Sequence, residues 1–278
     1  MSNAGGIDSL LAEAEALMAS AEYARAAIAF EYVVYQTDAP MPQAEACLGK
    51  ARAYKRMQDY EGALKSLARV NFRPLNDTMH YRVRSEMAFL LFLTGRFAEA
   101  DQQFKQMDFF LPKLELKQQS YYLRVLTLNE LRRWEEAETV AHSWIDGMGL
   151  ETTTQDSLHQ QVNTWYAEVP HLKKRKRAEV LSIFPGLGHW YAGHFGEGLV
   201  SSLVSVGALS FTVFNVFQGN YVTALTLGTG LLQLFLFGGT RRARFLVEET
   251  NYNRTRAFNN PLKAQLAQWQ RRWVQRPR

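Results

Sequence analysis

Hydrophobic residues between positions 7 and 170 recur at intervals of three or four, along short segments that polar breaks separate. One such segment runs over Ala44–Met57, breaks at Gln58-Asp59 and resumes over Tyr60–Val70. Intervals of three and four place the apolar side chains on one face of an α-helix. The pattern therefore predicts a series of helical hairpins, and each hairpin must stack on its neighbours to bury its apolar face.

A period of 37 residues underlies this segment. Four aromatic residues stand at that interval, and small or apolar residues stand at fixed distances before and after each of them. The five aligned columns are Tyr23, Tyr60, Phe97 and Trp134; Ala26, Ala63, Ala100 and Ala137; Phe30, Leu67, Phe104 and Ala141; Ala14, Ala51, Ala88 and Val125; and Leu17, Tyr54, Leu91 and Leu128. A fixed period of this size is typical of repeat proteins, so the columns predict about four stacked hairpins.

These columns resemble those of the tetratricopeptide repeat family, most closely over Ala53–Leu64 and Thr94–Ala100. The period exceeds the roughly 34 residues usual in that family, so slightly longer helices or loops are expected. The resemblance implies an all-α solenoid over residues 7–170, with a concave groove that binds a protein or peptide partner.

The same resemblance places side chains from the first helix of each hairpin on the concave groove. These residues are Arg52, Lys55, Arg56, Arg82, Phe89, Phe92, Tyr122 and Asn129. Basic residues beside aromatic rings suit an acidic peptide or a C-terminal carboxylate. The alternative, in which these residues form solvated faces and packing between repeats, stays open at this stage.

A stretch of 43 residues without any charge lies between Glu197 and Arg241. It divides into two apolar segments, Gly198–Phe217 and Tyr221–Gly238, with the polar turn Gln218-Gly219-Asn220 between them. A helix of about 20 residues reaches roughly 30 Å, which is the thickness of the hydrocarbon core of a bilayer. The pattern predicts a transmembrane helical hairpin over residues 198–240, the alternative being a buried hairpin of a soluble protein.

The net charge of +5 conceals two halves of opposite sign. Residues 1–170 contain 17 basic and 23 acidic residues, whereas residues 171–278 contain 15 basic and 4 acidic residues. Two different domains are therefore expected to meet near residue 170. Because the basic residues flank both ends of the uncharged stretch, the positive-inside rule places both ends of the hairpin, and the repeat domain, in the cytoplasm.

A basic collar, Lys173–Arg177, opens the predicted interfacial segment 171–197, which continues into a Pro/Gly-rich run with aromatic residues. No nucleic-acid-binding motif surrounds the collar, so lipid head groups are expected as its partner and nucleic acid is not. Tryptophan and tyrosine side chains suit the interface between membrane and water. The predicted membrane-interface residues are Lys173, Lys174, Arg175, Lys176, Arg177, Pro185, Gly186, Gly188, Trp190, Tyr191, Gly193, Arg241, Arg242, Trp269 and Trp273.

The motif Pro-Gly-x-Gly-x-x-Tyr-x-Gly occupies Pro185–Gly193, and Asn251–Arg254 follows the two apolar segments. This arrangement resembles a bacterial family of two-span membrane hairpins, which implies an inner-membrane protein. Members often carry tetratricopeptide-like repeats behind a cleaved signal peptide, which would place the repeats in the periplasm. Residues 1–6 have no signal-peptide features, and Ser2-Asn3-Ala4 resembles the remnant of an expression tag. Both orientations of the repeat domain stay open.

The last segment, residues 241–278, is basic and contains a second amphipathic pattern. Pro261 suits the first position of a helix, and an apolar stripe follows it. The stripe consists of Leu262, Leu266, Trp269 and Trp273. Such a helix is expected either to lie in the membrane surface or to dock on the repeat domain or the hairpin.

The sequence contains few residues whose pattern suggests catalysis or metal binding. The sequence contains no nucleophile elbow, no His-Glu-x-x-His motif and no dinucleotide-binding fingerprint. The single cysteine, Cys47, falls among core positions, and His189 and His194 lack a nearby metal-binding partner in sequence. We therefore expect no enzyme activity, no catalytic residues, no cofactor and no metal.

The predicted function is that of a membrane-anchored adaptor or scaffold in a bacterial envelope complex. It would bind a protein or peptide partner and membrane lipids, and it could form homo- or hetero-oligomers through the hairpin. The alternative is an accessory subunit of a membrane transport or lipid-handling complex that acts through the hairpin itself.

Overall fold

The computed structural model describes the backbone of residues 4–111 and 114–274, and the side chains of most of them. Every regular element within these ranges is helical, which confirms the all-α prediction. Contacts divide the chain into two compact units. Unit 1 comprises Met1–Glu168 and Gln265–Arg278, and unit 2 comprises Val169–Ala264.

Unit 1 is built from helices that pack against their neighbours in the sequence. They are α1 (Ala4–Ala19), α2 (Tyr23–Gln36), α3 (Pro40–Arg56), α4 (Tyr60–Leu67), α5 (Asp77–Leu93), α6 (Phe97–Phe110), α7 (Leu114–Gln118), α8 (Tyr121–Glu130), α9 (Trp134–Asp146) and α10 (Thr152–Ala167). Most consecutive helices contact each other, α6 contacts α8, and α3 also contacts both α1 and α5. The first helices of the pairs α1–α2, α3–α4 and α5–α6 therefore also touch.

The 37-residue columns coincide with structural positions. Tyr23, Tyr60, Phe97 and Trp134 are the first residues of α2, α4, α6 and α9. Three of the other four columns are almost completely inaccessible to solvent, whereas Leu17 and Tyr54 of the fourth are only partly buried. The members of the three buried columns are Ala26, Ala63, Ala100 and Ala137; Phe30, Leu67, Phe104 and Ala141; and Ala14, Ala51, Ala88 and Val125. Small residues at these positions let neighbouring helices approach closely.

The turn between the two helices of each pair repeats with the same period. A residue with positive φ stands two positions before each aromatic residue: Ala21 (61°), Gln58 (63°), Gly95 (74°) and Arg132 (59°). The next amide donates to a carbonyl five residues earlier, at 2.8–2.9 Å; the pairs are Glu22 to Leu17, Asp59 to Tyr54, Arg96 to Leu91 and Arg133 to Leu128. This is the Schellman motif, in which a left-handed residue closes the helix.

Arg84 is buried inside unit 1 without a carboxylate partner among the described residues. Its Nε donates to Nε2 of His80 at 2.6 Å, and its Nη1 donates to the side-chain oxygens of Gln103 and Gln106. Its guanidinium also stacks 4.1 Å from the ring centroid of Phe72. Burial lowers the pKa of Arg84, and burial together with the charge of Arg84 lowers the pKa of His80.

Unit 2 contains the short helices α11 (Arg175–Leu181) and α12 (Leu187–Ala192), followed by α13 (Phe195–Phe217). After the turn come α14 (Tyr221–Thr223), the π-helical segment Ala224–Gly228 and α15 (Thr229–Val274), of which the part up to Ala264 belongs to unit 2. Two helices are long and apolar enough to cross a membrane, namely α13 and the helix that starts at Tyr221. This confirms the prediction of two candidate spans: the first lies close to its expected bounds, whereas the second starts at Tyr221 as expected but continues to Arg271, well beyond the predicted end at Gly238.

The carboxyl-terminal segment differs from the prediction. We expected a separate helix that starts at Pro261, but Pro261 lies inside the continuous helix α15. Proline lacks an amide hydrogen, so this helix forgoes one backbone hydrogen bond at that point. The segment 241–278 is therefore not a separate domain in the described part of the chain: residues up to Ala264 belong to unit 2, and Gln265 onwards belongs to unit 1.

Candidate functional site

The surface of the hairpin in unit 2 is the first candidate site. Only about a sixth of the apolar window of α13 and an eighth of the second window are buried in the structure, at 17% and 12%. Large apolar side chains are exposed around both helices; they include Leu199, Val200, Leu203, Val206, Leu209, Phe214, Leu225, Leu227, Leu234 and Phe237. An apolar surface of this extent favours contact with lipid or with other apolar helices rather than with water.

Two charged residues stand at the ends of this hairpin and contact each other. Arg242 Nε and Nη2 donate to the two carboxylate oxygens of Glu197, at 2.8 and 2.9 Å. Both side chains are partly exposed. The hairpin thus carries a paired charge where its uncharged stretch begins and ends.

The glycines of the Pro-Gly-x-Gly segment permit close approach between backbones. Gly186 has a φ of +89°, and a Cβ there would lie 2.2 Å from Ser202 Oγ. A Cβ on Gly188 would lie 1.9 Å from Ser182 Oγ and 2.8 Å from the carbonyl oxygen of Ala178. Ser202 Oγ also donates to the carbonyl of Pro185 at 2.8 Å. Gly186 and Gly188 therefore lie in internal packing, and the predicted interfacial role is not needed to explain them.

The tyrosine of the motif and Asn251 hold the start of the basic collar. The backbone amide of Lys174 donates to the hydroxyl of Tyr191 at 2.9 Å. Asn251 accepts from the amide of Lys173 and donates to its carbonyl, both at 2.8 Å. Burial and the nearby charge of Arg254 lower the pKa of Lys173. The backbone of the collar is fixed while Lys174, Arg175, Lys176 and Arg177 keep exposed side chains.

The remaining predicted interface residues differ in their surroundings. Trp190 is half-exposed, and its Nε1 donates to the carbonyl of Phe195 at 3.1 Å. Arg241 is exposed. Gly193 has a φ of +97° and ends α12. The side chain of Trp273 lies outside the described residues.

Trp269 is a correction, because we expected it at the membrane interface. Its indole is buried, and its ring centroid lies 5.0 Å from that of Trp165 and 6.1 Å from that of Trp144. All three residues belong to unit 1. The aromatic stripe of the carboxyl-terminal helix therefore serves internal packing at this position, which is the docked alternative.

The two histidines near the hairpin differ in their surroundings. His189 is buried, and its Nδ1 has no hydrogen-bond partner within the described residues. Burial lowers the pKa of His189. His194 Nδ1 lies 3.8 Å from a carboxylate oxygen of Glu197. In the described part of the chain, no group of three or more potential metal ligands is found.

In unit 1, the predicted groove residues fall into three classes. Lys55 pairs with Glu86 and lies 5.1 Å from the ring centroid of Phe89, so its charge is already compensated. Arg82 Nη1 lies 3.8 Å from the carboxylate of Glu45. These contacts link α3 and α5, as packing between repeats would require. Arg56 is exposed and Arg52 is half-buried, so these two keep the accessibility that a groove residue needs.

The aromatic and amide residues of that set are mostly internal. Phe92 packs edge-on against Phe97, with ring centroids 5.4 Å apart. Tyr122 packs against Trp144 at 5.8 Å. Asn129 is a correction: it is buried, and its side-chain oxygen accepts from the hydroxyl of Tyr166 at 3.1 Å. A buried amide that is already bonded within the core cannot line an open groove.

A groove that the sequence reasoning missed lies between α2 and α3. It has a volume of about 600 Å³ and is lined on the α2 side by Ile28, Tyr32 and Tyr35, with Lys50, Tyr54 and Met57 on the α3 side. The available signal was a second apolar stripe on α2, at the spacing i, i+4 and i+7, opposite the buried stripe. The groove combines exposed aromatic side chains with apolar walls.

An ion-pair network borders this groove. Glu31 accepts from Lys50 Nζ at 2.7 Å and from Arg69 Nη1 at 2.8 Å. Burial alone would raise the pKa of Glu31, but the hydrogen bonds from Lys50 and Arg69 outweigh it and lower the pKa. The carboxylate therefore stays ionised and holds α2, α3 and Arg69, in the segment that follows α4, together. Cys47 lies within the same core and is buried, as expected.

Comparison with protein families, with curated proteins and with solved structures finds no match for this chain. The two resemblances given above therefore rest on the residues of this chain alone.

Proposed function

We propose that this protein is a membrane-anchored adaptor of the bacterial envelope: its hairpin lies in the bilayer, and its helical unit binds a protein or peptide partner. The observation that carries the proposal is the exposure of both apolar helices of the hairpin. A soluble core helix is mostly buried, whereas these helices are 17% and 12% buried over their most apolar windows. Lipid is the solvent that would cover such a surface at the lowest cost.

A hairpin with two spans also fits the connectivity of unit 1. Residues from Gln265 onwards follow the hairpin in sequence, yet they pack with residues that precede it. Both flanks of the hairpin must therefore lie on one side of the bilayer, which requires an even number of spans. Basic residues on both flanks favour the cytoplasm as that side. The resemblance to periplasmic members favours the other side, and the labelling experiment described below distinguishes them.

The tetratricopeptide-like solenoid is part of the proposal. Four observations with one period support it: helices start at the aromatic column, alanines are buried three residues later, each turn has a left-handed residue, and each turn has the same backbone hydrogen bond. A chain that repeats its turn geometry at a fixed interval builds equivalent hairpins. Stacks of such hairpins expose long surfaces that bind peptides.

The groove between α2 and α3 is the surface we propose for the partner. Tyr35 and Ile28 are 84% and 71% exposed, which is unusual for large apolar side chains. Aromatic side chains supply much of the binding free energy at protein interfaces. Arg52 and Arg56 are the accessible residues among those that the sequence predicted for the concave groove. They form a second surface, whose role in partner binding is compared with that of the groove between α2 and α3.

Flotation with vesicles tests the anchoring. The full-length protein, reconstituted into phosphatidylcholine vesicles, should float with the lipid and should resist extraction with alkaline carbonate. If the full chain is instead monodisperse in detergent-free buffer and stays at the bottom of the gradient, the anchor is absent and the proposal is wrong.

Paired substitutions test the partner surface. Ile28→Glu should abolish capture of a specific partner from membranes of the source cell after cross-linking. Arg25→Glu, on an exposed position of the same helix, is the matched control and should leave capture unchanged. Loss of capture with Arg52→Glu or Arg56→Glu, and not with Ile28→Glu, would move the partner to the surface expected from the sequence.

A further inference from the structure

A second groove, of about 500 Å³, runs along the hairpin between α13 and α15 within unit 2. Its apolar length is lined by Val200, Val204, Leu234 and Phe235. Ser201 and Gly239 also line it, and Ser201 Oγ lies 3.5 Å from the position that a Cβ on Gly239 would occupy. Small residues at these two positions leave the space between the helices unfilled.

Glu197 and Arg242 line the same groove and give it a polar end. Their contact uses Nε and Nη2 of the guanidinium. Among the described residues, no group accepts a hydrogen bond from Nη1 of Arg242, so its two N–H groups are available to a ligand. The buried ring of His189 borders this end, with its Cε1 3.7 Å from the Cβ position of Gly239, and its Nδ1 has no hydrogen-bond partner in the described chain.

Unit 2, which contains the groove, carries a strongly positive charge. Residues 169–264 contain 11 basic and 4 acidic residues. Three of the four carboxylates are engaged: Glu179 with Arg244, Glu197 with Arg242 and Glu248 with Arg175. Arg241, next to Arg242 in sequence, adds an exposed positive charge. A ligand with a negative head group and an apolar tail complements this combination.

We infer that this groove binds one anionic phospholipid, whose acyl chain lies along Val200, Val204, Leu234 and Phe235 and whose phosphate contacts Nη1 of Arg242. The inference rests on the proposed function, since it requires that the hairpin lie in a bilayer. A groove that faces lipid is filled by an acyl chain rather than by water, because no water is present at that depth. The guanidinium then selects the head group, since guanidinium and phosphate form strong, charge-assisted hydrogen bonds.

Substitutions of opposite effect test the head-group contact. In Glu197→Gln, the carboxylate no longer competes for Arg242, so the affinity for phosphatidylglycerol should rise severalfold. In Arg242→Gln, the same affinity should fall about tenfold, since one charge contact near an anionic surface is lost together with its hydrogen bonds. Both variants break the same ion pair, so a purely structural role would change both in the same direction. Native mass spectrometry of the full chain in a mild detergent, titrated with phosphatidylglycerol or phosphatidylcholine, measures both affinities.

Two matched controls complete the experiment. Arg241→Gln removes a neighbouring charge that does not line the groove, and it should change the affinity less than about threefold. Val204→Trp fills the groove and should prevent retention of the lipid, whereas Val206→Trp, on an exposed position of the same helix, should not.

The outcomes separate this inference from the proposed function. If the wild-type chain floats with phosphatidylcholine vesicles but binds phosphatidylglycerol no better than phosphatidylcholine, the anchor stands and the lipid site is wrong. Equal changes with Glu197→Gln and Arg242→Gln, or a dimer that Val204→Trp dissociates, would also overturn the lipid site. If the wild-type chain does not float, the anchor itself fails.

Discussion

Glu197 and Arg242 are 45 residues apart in sequence, yet they form a two-point ion pair across the ends of the uncharged hairpin. Glu197 is the last charged residue before the uncharged stretch. Arg241 and Arg242 are the first two charged residues after it. The ion pair holds the start and the end of the hairpin side by side. Charged residues at the two boundaries of an apolar segment mark where a bilayer interface would lie.

The first prediction concerns topology. In a Cys47→Ala background, cysteines introduced at Glu197 and Arg242 should react with an impermeant maleimide from the same side of the membrane. A cysteine at Asn220, in the turn between the spans, should react from the opposite side only. Labelling in intact cells, compared with lysed cells, measures this. Reaction of all three positions from one side would exclude a spanning hairpin.

The second prediction concerns the repeated turn. Gly95 has a positive φ, and a Cβ built on it meets no atom within 4 Å, so Gly95→Ala adds only backbone strain. The free energy of unfolding should fall by about 1 kcal/mol. Gln58→Gly relieves the same strain in the preceding turn, so it should raise the free energy of unfolding by up to about 0.5 kcal/mol. Urea titration of the full chain in mild detergent tests both, and effects of the same sign would contradict the shared turn geometry.

The third prediction concerns the Pro-Gly-x-Gly segment. Gly188→Ala forces a methyl group against Ser182 and the backbone of Ala178, and should cost about 2 kcal/mol. The basic collar should then become accessible, so trypsin should cleave there about tenfold faster than in the wild type. Gly196→Ala is the control, because a Cβ at that position contacts nothing within 4 Å. Equal cleavage rates in the two variants would argue against close packing at Gly188.

The fourth prediction concerns pH. His80 is buried, accepts a hydrogen bond from Arg84 and has a lowered pKa in the folded chain. Asp77 is the acidic group nearby that opposes this shift. Between its folded pKa and its ordinary value of 6.5, the unfolded chain binds a proton that the folded chain does not. Stability should therefore be lost as the pH falls below about 6.5, by at most about 1.4 kcal/mol per pH unit.

His80→Gln isolates this contribution. The glutamine oxygen can still accept from Arg84 but does not titrate, so the variant should lose less stability between pH 7.5 and pH 5.5 than the wild type. Urea midpoints at the two pH values give the comparison. Identical pH dependence in the two proteins would show that His80 does not carry the effect.

The hydrophobic periodicity predicted much of this architecture because each signal depends on local spacing. The helix starts at the aromatic column, the burial of the alanine column and the starts of the two apolar helices all follow from positions along one helix. The turns were harder to predict, since three of the four left-handed positions carry Ala21, Gln58 and Arg132 rather than glycine. Only backbone geometry shows that they are equivalent.

The surfaces were less predictable because they depend on how each helix is rotated against its neighbours. Asn129 belongs to the helix expected to line the groove, yet its side chain turns into the core and bonds with Tyr166. The stripe of Ile28, Tyr32 and Tyr35 looks like a core stripe in sequence but lies in an open groove. Proline is typical of the first position of a helix, so Pro261 predicted a helix start. Helix α15 instead continues through Pro261, with buried residues on both sides of it.

The packing of Trp269 against Trp165 and Trp144 has a consequence for biosynthesis. Trp269, which completes this aromatic cluster, follows both apolar helices in the sequence and is therefore synthesised after them. Until then, the indoles of Trp144 and Trp165 lack this contact. The amino-terminal unit therefore cannot complete its aromatic core before the whole apolar hairpin has been made.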